Sequence, residues 1–427
     1  MSLDFDRLEL SVRAALALPA LQADAARCSA RIELVVSDAA PAPSSPSRRM
    51  SLWAGAPGGA AITLSAGAGV WAEVFSAVPP VGRQSVGALR RQCPGFVLDG
   101  ADLAIAQALP FIERLLDGVR SHFNALPDGA SLDRAGLQFV NGSYLRLDAP
   151  GADWVYTERA GLDSGPPLLM LHTAGADARQ WHGLMSQQAL REVWSLHAFD
   201  LPGHGRSPLP ADAAKGDWRL TESLYLQWVI GYLDAAGLDR VALMGCSMGS
   251  AIGLALLAKH AHRVAGAVLL EAPYRSPGRR SKYLNHPEVH GGRLGAAWVG
   301  SLLSPTSPRA GRDEATWIYS QAAPGIYDGD LAYYSDDFNA HDHTAHIDTA
   351  RTPLWLLTGN YDYSATPDDS RRVASEVPGA RFTELPGFGH FPMVENADGL
   401  MPYLGAPLAD INARFAAKSP TRNPEAR

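Results

Sequence analysis

Ser247 stands between two glycines in "GCSMG" (Gly245–Gly249), after the apolar run Val241–Met244 and before a helix-like stretch that reaches Lys259. G-x-S-x-G at a strand-to-helix bend is the pattern that lifts a serine hydroxyl clear of its own backbone. Side chains at the flanking positions would collide with the neighbouring strand and helix, so glycine is required on both sides. Such a bend holds the serine in an unfavourable conformation, at roughly 1–3 kcal/mol, and strain of that kind is usually kept for function. It also leaves the N–H of Met248 at a helix N-terminus, where an oxyanion would develop.

A serine hydroxyl is a weak nucleophile until a base removes its proton. His390, in "LPGFGHFPMVEN" (Leu385–Asn396), follows a strand-like run on a glycine-rich loop and is the candidate base. His204, in "DLPGHGRS", competes for the role, but its turn follows an earlier strand and is expected to pack near a cap. An imidazole base needs a carboxylate to fix its tautomer. Asp362, just past the buried-looking run "TPLWLLTG" (Thr352–Gly359), is placed to supply it, with Glu271 in "VLLEAPYR" as the alternative. A second oxyanion donor is expected in "HTAGADARQWH" (His172–His182): Ala174 N–H first, Thr173 next. In the same loop Arg179 and Gln180 are placed either to line the pocket or to hold the loop, Arg179 through an ion pair. Together these groups suit attack on the carbonyl of a carboxylic ester or lactone, with no cofactor.

Strand and helix patterns alternate from Tyr144 to the end of the chain, through "PPLLMLHTAG", "SLHAFDLPGHG", "VALMGCSMG", "VAGAVLLEAP" and "TPLWLLTGNYD". Alternation of this kind predicts a mostly parallel sheet with helices on both faces. It stops between Ala272 and Ala350, and a helical cap over the sheet is the simplest account of so long an interruption. "LLMLHTAGADARQWH", "FDLPGHGRS", "MGCSMGS", "LLTGNYDYSATP" and "PGFGHFPM", in that order, resemble the α/β-hydrolase family over roughly Tyr144 to Met401. The resemblance implies Ser247 as nucleophile, Asp362 as acid, His390 as base, and Ala174 and Met248 as oxyanion donors. One departure is His172-Thr173, where the family has a His-Gly pair. Cleavage of a carbon–carbon bond in a ketone or diketone by the same residues is the nearest rival activity. A silent apolar-ligand-binding protein is the rival from another class.

Residues 1–124 form a separate pattern: a leading helix, short alternating runs at Arg31–Val36, Met50–Gly55 and Ala61–Ala66, then helical periodicity. "APAPSSPS" (Ala40–Ser47) reads as a surface loop, and residues 125–143 as a linker to the domain spanning 144–427. The expected architecture is therefore a small α+β unit before an α/β-hydrolase sheet with a cap at 272–350. The α+β unit faintly resembles the sterol carrier protein fold, through "AITLSAGAGVWAEVF" and "LDGADLAIAQALPFIERLL". That likeness implies an apolar ligand groove or an assembly role; a structural appendage, with a homodimer among its uses, is the plainer reading.

The chain has 427 residues, 46% hydrophobic and 19% charged, with a net charge of −7 and no clustered basic run, which argues against nucleic acid as a partner. Its three cysteines (Cys28, Cys93, Cys246) fit neither a metal spacing nor a disulfide framework. "AALALPALQADAA" (Ala14–Ala26) follows Asp4, Asp6 and Glu9 and is broken by Pro19, so it reads as an amphipathic helix, not a signal segment. No run approaches the roughly 18 apolar residues that span a bilayer, and a soluble cytoplasmic protein is the default. Three signals read as structural. "HDHTAH" (His341–His346) is similar to a zinc-ligand spacing but lacks the aspartate a metal hydrolase places before the last histidine, so it is expected to be a solvated cap segment. "GRRSK" (Gly278–Lys282) reads as an exposed charge cluster, and the cap's aromatics, among them Tyr319, Tyr327 and Tyr334, as pocket or core.

Overall fold

A computed structural model describes residues 4–37, 47–125, 134–210 and 218–416. The proline-bearing loop ahead of Ser47 and residues 126–133 of the expected linker lie outside the described residues. The leading segment is two helices, Phe5–Leu16 and Pro19–Ala25, in place of the single helix expected. Pro19 sits in the first turn of the second, the one helical position that needs no N–H. Four strands follow in the N-terminal unit: β1 (Arg31–Ser37), β2 (Ser47–Trp53), β3 (Ala61–Gly67) and β4 (Val97–Asp99). They form a sheet in the order β2-β1-β3-β4, with β1 and β3 parallel.

The second sheet contains β5 (Asn141–Ala149), β6 (Ala152–Gly161), β7 (Pro167–Leu171), β8 (Ser195–Phe199), β9 (Val241–Cys246), β10 (Val264–Leu270), β11 (Leu354–Gly359) and β12 (Arg381–Leu385). Their order is β5-β6-β8-β7-β9-β10-β11-β12. β5, β6 and β8 pair antiparallel, and β8 through β12 run parallel. Every residue of β9 and β10 is buried, because helices cover both faces of the parallel region. Chain order reverses beside β7 and β9, and a crevice opens at the carboxyl ends of strands at such a point. Ser247 immediately follows β9.

Between β10 and β11 the chain forms helices Gly291–Leu302, Arg309–Ser320 and Ile326–Leu331 and a π-helical turn, Ala332–Asp337. The N-terminal unit packs against this layer through its helices Val86–Gln92 and Asp102–Phe123. Ser85 Oγ donates to the Ser301 carbonyl (2.7 Å), Gln84 Nε2 to the Tyr361 carbonyl (3.0 Å), and Tyr361 Oη to the Pro79 carbonyl (2.7 Å). A Cβ on Gly87 would fall 2.1 Å from the Tyr363 hydroxyl, so a side chain there would require Tyr363 and Ser301 to shift. The N-terminal unit thus abuts the segment that carries Asp362.

Glu113 accepts the N–H groups of Val86 (3.1 Å) and Gly87 (3.2 Å) in the first turn of the interface helix. Burial raises its pKa from 4.5 to about 7, against the opposing pull of those N–H groups. A carboxyl raised on folding stabilises most below its unfolded pKa, and that stability is lost as pH rises through the folded value. Calorimetric unfolding should therefore show a contribution of about 2 kcal/mol, scaled down for a partly exposed group, fading between about pH 4.5 and 7. Glu113→Gln is expected to flatten that slope; an unchanged slope would refute the assignment.

Candidate active site

Ser247 adopts φ 55° and ψ −113° at the bend between β9 and the helix Met248–Lys259. A Cβ on Gly245 would lie 2.3 Å from the Gly249 carbonyl oxygen, and one on Gly249 2.3 Å from that of Leu171. Both glycines are thus fixed by backbone on the far side. His390 Nε2 lies 2.8 Å from Ser247 Oγ, and His390 Nδ1 lies 2.5 Å from Asp362 Oδ2. A carboxylate only accepts, so Nδ1 carries the proton and Nε2 is left to accept from the serine hydroxyl. The other carboxylate oxygen, Oδ1, accepts the N–H groups of Ser364 (2.7 Å) and Ala365 (3.2 Å), which fixes the side chain. All three residues are at most 3% exposed, so bulk water is excluded and each polar contact is strengthened.

Glu271, the alternative acid, is fully buried and also has a positive φ, 50°. Its carboxyl oxygens accept the Gly359 N–H (2.9 and 3.2 Å), tying the end of β10 to that of β11. The group lies within 4.8 Å of the nearest Asp362 and His390 polar atoms, yet it is Asp362 that bonds the imidazole. Burial, and then the neighbouring Asp362, push the Glu271 carboxyl well above the usual range. It is therefore held protonated behind the acid that faces His390.

Glu395 is a buried carboxyl beside the site that the sequence pattern does not single out. It is fully buried, and its carboxylate accepts the N–H groups of Ser304 (2.9 Å), Gly389 (3.2 Å) and Phe391 (2.8 Å) and the Ser307 hydroxyl (2.9 Å). These bonds clamp both sides of His390 to the cap. The one signal available is a glutamate five residues after the histidine in an otherwise apolar stretch.

In the loop after β7, Thr173 donates its N–H to Gln180 Oε1 (3.1 Å), which removes it as a free donor. The N–H groups of Ala174 and Met248 donate to no acceptor among the described residues. Gln180, fully buried, holds the loop, and Arg179 bonds Asp177 through Nε (2.8 Å) and a terminal nitrogen (2.6 Å). Arg179 therefore takes the loop-holding alternative. Gly175 N–H donates to Asp330 Oδ2 (2.8 Å), and the same oxygen lies 2.7 Å from His204 Nε2. His204 thus joins the cap to the loop and does not approach Ser247 as a base. Burial works against a charge on His204, but Asp330 outweighs it and raises the pKa. Removing one partner of a buried pair commonly costs about 3–5 kcal/mol. Asp330→Ala should show a loss of that size in chemical denaturation; a loss below about 1 kcal/mol would mean that the pair does not hold the loop.

In "HDHTAH", His341, Asp342, Ala345 and His346 are exposed, as expected of a solvated segment, whereas His343 and Thr344 are not. His343 is buried, stacks on Phe338 and lies 3.0 Å from Glu222, while His341 lies 3.1 Å from Glu376. Cys246 is buried and donates Sγ–H to the His390 carbonyl (3.3 Å). Tyr319, Tyr333, Tyr334 and Phe338 are buried within the cap, whereas Trp317 is exposed beneath Arg179. No helix among the described residues is long and apolar enough to cross a membrane.

Residues 166–397 match the family described as alpha/beta hydrolase fold. The chain belongs to the α/β-hydrolase family. This α/β-hydrolase is similar to the "Putative carbamate hydrolase RutD" of Klebsiella pneumoniae (strain 342), 25% identical over 262 residues, covering 60% of this chain and 92% of that protein. It is 32% identical over 108 residues to the 2-hydroxymuconate semialdehyde hydrolase of Pseudomonas sp. (strain CF600), covering 25% of this chain and 36% of that protein. The enol-lactonase of Burkholderia xenovorans LB400 shares the fold, with a TM-score of 0.54 and 21% identity over 62% of this chain and all of that one. The family match begins beyond the N-terminal unit.

Proposed function

We propose that this α/β-hydrolase cleaves a carboxylic ester or lactone through an acyl-enzyme on Ser247. The observation that carries the reading is the buried hydrogen-bonded chain from Ser247 Oγ through His390 to Asp362. His390 Nε2 takes the hydroxyl proton as Oγ bonds to the carbonyl carbon, and the carbonyl oxygen becomes an oxyanion facing the free N–H groups of Ala174 and Met248. Collapse breaks the ester bond, and the departing oxygen takes the proton from His390. Water then attacks the acyl carbon as His390 removes its proton; the second collapse releases the acid and returns a proton to Ser247. Asp362 keeps Nδ1–H fixed and stabilises the imidazolium throughout.

The same reading divides the chain into an N-terminal unit (1–124), a linker (125–143) and the hydrolase domain (144–427) with its cap at 272–350. In it the N-terminal unit, sterol carrier-like in pattern, acts as an appendage that backs the cap. Similarity to a semialdehyde hydrolase keeps carbon–carbon cleavage as the second reading. Stopped-flow hydrolysis of p-nitrophenyl acetate tests the acyl-enzyme: a burst of nitrophenolate matching the enzyme concentration is expected. A linear trace from a fully active preparation, at substrate concentrations that saturate it, would count against an accumulating acyl-enzyme. A panel of esters, lactones and vinylogous diketones separates the two readings.

A further inference from the structure

The basic run "GRRSK" predicts an exposed Arg279, but the residue is half-buried in the loop that leaves β10. Its neighbour Arg280 is matched by Asp328 (2.9 Å) and Asp336 (3.0 Å), whereas Arg279 forms no ion pair with a carboxylate among the described residues. The backbone N–H of Arg279 donates to Ser335 Oγ (3.0 Å), pinning the residue to the π-helical turn. Its guanidinium carbon lies 5.9 Å from the ring centre of Tyr363, the residue after Asp362. Burial opposes its charge, but Tyr327, Tyr363, Tyr334 and Asp362 around it raise the pKa above the ordinary arginine value. The guanidinium, charged as any arginine's is, is partly desolvated beside the Tyr327 side chain and Asp362, with no carboxylate in ion-pair contact among the described residues.

Tyr334 supplies a second unmet group. It is 2% exposed, and its hydroxyl lies beside the Ser247 and Ser276 side chains but is in hydrogen-bond geometry with neither. A buried hydroxyl left unpaired is costly, and a ligand oxygen would recover that cost. A cleft of about 420 Å³ lies between the two units, with Arg279, Trp298 and Tyr363, the residue after Asp362, on one wall and Gly87 and Glu113 on the other. Arg90 and Arg91, both exposed, also line it.

We propose that Arg279 anchors a carboxylate on the substrate, with the Tyr334 hydroxyl as a companion donor, so that the bond cleaved belongs to an acyl group bearing a second, anionic carboxyl. This rests on the ester-hydrolase reading and narrows it. A guanidinium fork takes a carboxylate through two parallel N–H bonds, which fixes direction as well as affinity.

The test compares kcat/KM for mono-p-nitrophenyl glutarate and for p-nitrophenyl butyrate. Wild type is expected to favour the charged ester by about 10-fold or more. Arg279→Met should bring the ratio near unity, and Arg279→Lys should keep part of it. No preference in wild type, or a preference that survives in Arg279→Met, would overturn the proposal while leaving the hydrolase reading intact. If wild type cleaves neither ester, the hydrolase reading falls, and calorimetry with monomethyl glutarate decides the anchor alone. Binding to Ser247→Ala that is lost on adding Arg279→Met supports it; equal binding, or none to either protein, overturns it.

Discussion

Ser247→Ala is expected to lower p-nitrophenyl ester turnover by about 10⁴-fold or more, with the protein still folded. The hydroxyl's bond to His390 is the contact that the substitution removes, so stability should fall by only about 1 kcal/mol. The bend itself is set by backbone that crowds Gly245 and Gly249, and alanine leaves that crowding unchanged. Steady-state rates on purified protein, with a thermal melt as control, check both halves. Retention of more than about a tenth of the activity would mean that another residue is the nucleophile.

Asp362→Asn is expected to cost about 10⁴-fold in kcat, by inverting the tautomer. An amide NH₂ presented to Nδ1 makes that nitrogen an acceptor, moves the proton to Nε2 and leaves no lone pair for the Ser247 hydroxyl. Glu271→Gln, by contrast, keeps an oxygen for the Gly359 N–H and replaces a group that already holds its proton, so a loss under about 10-fold is expected. Rates of the two variants measured side by side decide which carboxyl orients the base. The opposite ranking would transfer that role to Glu271.

The Ser247 bend is legible in the sequence because its strain is local: crowding at one turn demands glycine on both sides, and β9 and the following helix declare themselves by pattern. His390 and Asp362 can be placed because each follows a strand at the same sheet edge. The clamps around them cannot. Glu395 bonds Ser304 and Ser307, far away in the chain, and Asp330 meets Gly175 and His204 only once the cap has folded over the sheet. Side chains of this kind carry no periodicity, and their partners exist only in the tertiary structure. Arg279 misleads for the same reason: a basic cluster looks solvated until Tyr334, Tyr363 and the N-terminal unit close around it. The docking of that unit on the cap rests on helix packing and on pairs such as Asp24–Arg293 and Asp117–Arg312, whose partners lie far apart in the chain.

The most direct measurement is peptide mapping by mass spectrometry after reaction with a fluorophosphonate. A single adduct on Ser247, formed as ester turnover disappears and blocked in His390→Ala, is the result this account predicts. An adduct on a different residue, or full ester turnover with Ser247 unmodified, would contradict it.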